Sequence, residues 1–351
     1  MSPAIDETRR TIQAAAPAGT QPLLSVSGLT ISFRQRGQAL EAVRDVSFDI
    51  GPGEFVGVVG ESGSGKSVTA LAVMGLLDPR ITQVTGSALL AGKDLLTLGA
   101  QELRRTRGRD VGMVFQEPMT ALDPVFTVGH QLTETLHAHE KISRRAARER
   151  AVEMLAAVGI PDPKLRYSAY PHQLSGGLRQ RAMIAIALCC NPRLLIADEP
   201  TTAVDVTIQA QLLELLQTLR RERGTSILLI THDIGVIAES CDRMMTMYAG
   251  EIVETGPVGD VLENPAHPYT IGLLGAQPSL LTRGKPLTTV PGRLPRQEER
   301  TSGCLFEPRC PAALERCARD RQELIELGSA HTARCWRTHD LIGHTTAGGA
   351  R

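Results

Sequence analysis

Residues 60–67, GESGSGKS, set three glycines, a lysine and a serine at the spacing G-x-x-x-x-G-K-[ST]. That pattern is suited to holding a polyphosphate. Gly60, Gly63 and Gly65 let the backbone curl until successive N–H groups converge on phosphate oxygens. Lys66 supplies a point charge for the β- and γ-phosphates, and the Ser67 hydroxyl is a ligand for Mg²⁺. With Glu61, Ser62 and Ser64 inside the loop and Val68 just past it, the candidate nucleotide-binding run is Gly60 to Val68. Such a site needs a carboxylate from a second strand. LLIADE, residues 194–199, offers Asp198 for the Mg²⁺ shell at the end of an apolar run. Glu199, one residue on, is placed to polarise an attacking water as general base.

These residues must be carried by strands and helices. FVGVV precedes the loop as a short buried strand, and VTALAVMGLL follows it with helical character, adding the positive end of a helix to the phosphate site. LLSVSGLTISF and AVRDVSFDI alternate apolar and polar residues like paired edge strands. Residues 146–158 have helical periodicity. RLLIADE, then QAQLLELLQTLRRERG, then TSILLIT read as strand, helix, strand, a βαβ unit of a parallel sheet. Around Pro257–Pro295 proline, glycine and polar residues accumulate and suggest a junction, beyond which lie four of the 7 cysteines. The fold class expected is α/β.

Composition narrows the function. The 38 Lys and Arg balance the 38 Asp and Glu, so no bulk charge points to nucleic acid or to an anionic membrane. The longest apolar runs, such as Ala182–Cys190, fall short of the roughly 20 residues of a bilayer crossing. Residues 1–22 are rich in alanine, threonine and proline, lack an apolar stretch, and read as a disordered tail rather than a signal peptide.

LSGGLRQRAMIAIALCC, residues 174–190, leads Ser175, Gly176 and Gly177 straight into a helix. Alone, the glycine pair is a turn. Between the phosphate loop and Asp198 it resembles the signature of the ATP-binding-cassette (ABC) ATPases, and the resemblance covers roughly residues 24–256. It implies a P-loop cassette of mostly parallel core sheet, antiparallel β subdomain and helical subdomain (about 117–190), all within 23–275. It also implies that Ser175, Gly176 and Gly177 bind the γ-phosphate of ATP held by the P-loop of a second ATPase subunit, a homologue or another copy. Gln116 in VFQEP resembles the Q-loop glutamine, close to the nucleotide and its Mg²⁺. Asp205 in TTAVDV resembles the D-loop residue at the dimer seam. His232 in LLITHD resembles the switch histidine beside the γ-phosphate. Phe33 matches the aromatic that stacks on adenine, with edge-strand packing as the alternative. Leu178 departs from the usual LSGGQ and leaves that contact unassigned.

NPAHPYTIGLLGAQP at 264–278 and GCLFEPRCPAALERC resemble the extension of oligopeptide/dipeptide importer ATPases, here taken as residues 276–351. The resemblance implies an ATPase subunit at the cytoplasmic face of the membrane. Its partners would be two membrane permease subunits and an extracytoplasmic solute-binding protein, with no nucleic acid. Nickel or glutathione remain alternative solutes, and a non-transport or regulatory ABC ATPase is the rival class. The stretch 68–173 has no room for the long coiled coil of a chromosome-organising type, and a second cassette, as in a translation factor, is absent. Cys304, Cys310, Cys317 and Cys335 lack paired C-x-x-C knuckles. Their irregular spacing, with proline after Cys310, suits a [4Fe–4S] cluster; zinc and unligated structural thiols stay open. Cys189, Cys190 and Cys241 read as packing residues.

Overall fold

The computed structural model describes residues 21–35, 38–116, 121–201, 206–276, 290–328 and 330–342. Asp205 and nearly all of the expected N-terminal tail lie outside them. In chain order the elements begin β1 (Leu24–Gln35), β2 (Gln38–Ile50), β3 (Phe55–Val59) and α1 (Lys66–Val73). Next come β4 (Thr82–Leu90), β5 (Lys93–Asp94), α2 (Ala100–Thr106) and β6 (Val111–Val114). A helical stretch follows, with α3 (Val128–His139), α4 (Arg144–Ala157), α5 (Pro163–Arg166) and α6 (Gly176–Leu188). The chain returns through β7 (Leu194–Asp198), α7 (Val206–Arg223), β8 (Ser226–Thr231), α8 (Ile234–Ser240), β9 (Arg243–Tyr248) and β10 (Glu251–Pro257). It continues through α9 (Val258–Glu263), α10 (Pro268–Gly275), β11 (Ile325–Glu326), β12 (Thr332–Ala333) and α11 (Thr338–Ile342).

Among the described residues the strands form two sheets. The smaller is antiparallel, ordered β2-β1-β4-β5, and the larger runs β11-β12-β10-β9-β3-β8-β7-β6. Strands β9, β3, β8, β7 and β6 are mutually parallel. Strands β3, β7 and β8 are buried along their whole length, as their unbroken apolar runs require of a sheet covered on both faces. The paired edge strands expected from LLSVSGLTISF and AVRDVSFDI are β1 and β2, joined antiparallel from Leu24↔Ile50.

The helical stretch is built on side-chain caps. The hydroxyls of Thr127, Ser143 and Ser175 accept from His130 N, Ala146 N and Leu178 N and start α3, α4 and α6. Leu132 and Leu136 of α3 and Ala151 and Leu155 of α4 bury one face of each helix in a common core, while α6 is buried on nearly all sides from Ala182 to Leu188. Leu178, unassigned from sequence, packs its side chain against that core.

The residues from 290 to 342 are tied into the large sheet through β12 and β11. Strand β12 pairs with β10 at Thr255↔Thr332, and Tyr248 and Tyr269 pack with Leu305 and Phe306 in one cluster. The Tyr248–Tyr269 and Tyr248–Phe306 ring centroids are 4.6 and 5.2 Å apart in edge-on contact.

Candidate functional site

Four neighbouring parallel strands, β6, β7, β8 and β3, each present one expected residue or motif at their carboxyl ends: Gln116, Asp198 with Glu199, His232, and the loop from Gly60. Ligands of open α/β sheets bind at that edge. The sheet order thus assembles what the chain separates.

The phosphate loop is packed tightly against β9. A Cβ on Gly60 would lie 2.1 Å from Met247 O, so only glycine fits without shifting the loop. Gly65 has φ +103° at the N-cap of α1, a conformation open to glycine. Lys66 folds its ammonium over the loop and donates to Gly60 O at 2.7 Å, Glu61 O at 2.9 Å and Ser64 Oγ at 3.3 Å. Burial lowers the Lys66 pKa, opposed by the charges of Glu199, Asp198 and Glu61. Ser62 and Gly63 are exposed, while Ser64 and Gly65 are buried beneath them. Val68 packs against the core between the two sheets.

The Ser67 hydroxyl donates to Asp198 Oδ1 at 2.9 Å. Burial raises the Asp198 pKa, opposed by that hydrogen bond. Glu199 has a left-handed backbone, φ +45°, unusual for a non-glycine residue and typical of strained functional positions. The turn is held by Glu199 N donating to Ile230 O at 2.8 Å. On the carboxylate, Oε2 accepts from Gln116 Nε2 at 3.0 Å and lies 3.5 Å from His232 Nδ1. Three residues expected to act on one nucleotide therefore meet at a single oxygen. The oxygen donors Ser67, Asp198 and Gln116 form a set that suits a hard divalent cation.

Ser175 and Gly176 are exposed at the start of α6, and a Cβ on Gly176 would meet open space. A Cβ on Gly177 would meet Ile208 at 3.4 Å. Phe33 is half-buried, paired across β1 with Leu40 and Thr82, and packs against the sheet core. Asp205 cannot be placed, since it lies outside the described residues.

The four extension cysteines are drawn together. Cys304 N donates to Cys317 O at 2.7 Å. Burial pushes the Cys304 thiol up to about 12 and the Cys335 thiol up to about 11, and neighbouring thiols of the set add to both. Among the described residues, however, no group of three or more His, Cys, Asp or Glu is arranged to hold a metal ion. The iron–sulfur and zinc expectations therefore gain no support from the geometry.

Two contacts had no signal in the sequence. Tyr269 Oη accepts from Glu61 N at 2.9 Å, and Arg309 grips the Glu61 carboxylate, both reaching the loop from beyond the parallel sheet. Among the described residues no helix is long and apolar enough to cross a membrane.

A family model described as ABC transporter matches residues 43–202, and one described as the oligopeptide/dipeptide transporter C-terminal region matches residues 253–317. A Brucella melitensis protein named as a peptide import ATP-binding protein is 51% identical over 333 residues, 92% of this chain and 98% of its own. A Brucella abortus protein of the same description is 49% identical over 316 residues, 90% and 95%. Among solved structures, the ATP-binding cassette MJ0796, a dimer in a post-hydrolysis state bound to ADP and Pi, is similar at a TM-score of 0.61. It has 29% identity, with 67% of this chain and 98% of that one covered.

Proposed function

The chain belongs to the ABC transporter ATPases that carry the oligopeptide/dipeptide transporter C-terminal region, and on that premise we propose that it energises import of di- and oligopeptides. The observation that carries the site assignment is the meeting of Gln116, Glu199 and His232 beside the Ser67–Asp198 pair. In this reading the loop amides and Lys66 bind the triphosphate of ATP. Ser67, Asp198 and Gln116 would hold Mg²⁺, which when bound neutralises charge on the β- and γ-phosphates. Glu199 accepts the proton of the water that attacks the γ-phosphorus, and ADP departs as the other product with phosphate. Gln116 and His232 keep the Glu199 carboxylate in place. Phe33 stacks on adenine.

Ser175, Gly176 and Gly177 complete the site of a second ATPase subunit, which returns the same service. Backbone N–H groups, a hydroxyl and a helix N-terminus are suited to a γ-phosphate. Closure of the pair drives two membrane permease subunits at the cytoplasmic face of the membrane, and an extracytoplasmic solute-binding protein delivers the peptide. Exposed Val125, Phe126 and Leu165, in and around the helical stretch, support an apolar contact with those subunits. The cassette spans residues 23–275, its helical subdomain about 117–190, with the extension at 276–351.

The test is the ATPase rate of the assembled transporter with Glu199→Gln. Hydrolysis falls by about two orders of magnitude or more while ATP binding persists; an unchanged rate overturns the base assignment. Stimulation of the unmodified complex by di- and oligopeptides, against nickel and glutathione, decides the solute.

A further inference from the structure

The cysteine-bearing extension reaches the phosphate loop through one side chain. Arg309 ends a short 3-10 turn, Glu307–Arg309, immediately before Cys310. Its Nη1 and Nη2 donate to Glu61 Oε2 and Oε1, each at 3.0 Å, a two-pronged grip that fixes the plane of the carboxylate. The pair is largely withdrawn from water, with 6% of the Arg309 side chain and 29% of the Glu61 side chain exposed. The guanidinium is itself tightly constrained. Its Nε donates to Pro291 O at 2.6 Å and Nη2 to Val290 O at 3.3 Å, and it sits 5.7 Å from the centre of the Tyr248 ring.

Glu61 carries that grip into the nucleotide site. Its N–H donates to Tyr269 Oη, and its carbonyl accepts from Lys66 Nζ, both at 2.9 Å. Leu294, also from the extension, would lie 3.5 Å from a Cβ on exposed Gly63. A carboxylate inside a loop built to bind a polyphosphate is electrostatically adverse unless it is paired. Truncating one member of a largely buried ion pair leaves the other charge uncompensated.

We propose that Arg309 is a positioning residue for ATP binding: it cancels the Glu61 charge and holds the phosphate loop in its curl, so that the extension sets the nucleotide affinity of the cassette. This rests on the nucleotide-site reading above. The experiment measures the MgATP dependence of hydrolysis by the assembled transporter carrying the full-length chain. Hydrolysis by the unmodified complex tests that underlying reading; its absence would sink the site assignment whatever Arg309 does. With hydrolysis present, Arg309→Gln raises KM for ATP by about five- to tenfold and lowers kcat by less than about twofold. Adding Glu61→Gln to Arg309→Gln removes the uncompensated carboxylate but does not restore the grip, so KM falls part of the way back toward the unmodified value. An unchanged KM in folded Arg309→Gln, or a double variant no better than the single one, overturns the proposal. If Arg309→Gln loses its cooperative thermal transition, Arg309→Lys replaces it. Lysine keeps the charge without the fork, so KM takes an intermediate value, and an unchanged KM there overturns the proposal equally.

Discussion

Ser67 and Asp198 are joined by a hydroxyl-to-carboxylate hydrogen bond of 2.9 Å, although β8 lies between β3, which leads into the Ser67 loop, and β7, which carries Asp198. The bond spans the floor of the nucleotide site from the first turn of α1 to the last residue of β7. Asp198→Asn keeps the size of the side chain and removes its charge. The Mg²⁺ concentration for half-maximal hydrolysis rises, and the maximal rate falls by roughly tenfold or more. A magnesium titration of the ATPase rate checks this, and an unaltered titration removes Asp198 from the cation site.

Gly60→Ala puts a methyl group where Met247 O already lies, at 2.1 Å. Backbone on both sides of the contact leaves no flexible side chain to yield, so the loop must move away from β9. ATP affinity falls by about tenfold or more, a loss of about 1.4 kcal/mol or greater. Titration with a fluorescent ATP analogue reads the loss, and circular dichroism confirms that the fold survives.

Ser175→Ala separates a local role from one in a second subunit. The cap that Ser175 makes to Leu178 N is long, 3.4 Å, and its loss costs about 0.5–1 kcal/mol in the full chain. Thermal melting registers only that small change. Under the proposed role of Ser175 at a partner's ATP, hydrolysis by the assembled complex drops far more than melting accounts for. Equal, small effects in both assays would reduce Ser175 to a helix cap.

His267 makes stability depend on pH. It is buried at the start of α10, where Nδ1 accepts from Tyr269 N at 3.0 Å and its backbone N–H donates to the Glu254 carboxylate. Burial, with Arg334 adding to it, lowers its pKa to about 3 in the folded chain. Unfolded histidine titrates near 6.5. Between those values the unfolded chain binds a proton that the folded chain refuses. This contribution is complete above about pH 6.5 and is lost as pH falls toward 3, at up to about 1.4 kcal/mol per pH unit. His267→Asn retains a capping acceptor and flattens that slope. Urea midpoints measured across the range for both chains check it, and parallel slopes refute it.

Much of the site could be read in the chain because phosphate binding uses consecutive residues. The loop from Gly60 to Ser67 needs its glycines, lysine and hydroxyl next to one another, so spacing alone identifies it. Strand FVGVV, the run ending in Asp198 and the helix after Ser175 are likewise local patterns, and the structure has all three. Leu178 was different: its packing against the helical core depends on residues far along the chain. The cysteines differ likewise: their spacing suits a metal group, and the arrangement of the described residues lends that reading no support.

The sequence by itself determined a phosphate loop, its carboxylate strand and an α/β core, because each is written in neighbouring residues. Only the tertiary structure decided that Gln116 and His232 share one oxygen of Glu199, and that Arg309 holds Glu61 across 248 positions of chain. Those contacts depend on the order of strands in the sheet and on where the extension docks. Neither leaves a periodicity or a spacing in the sequence, since both are set by which buried surfaces pack together.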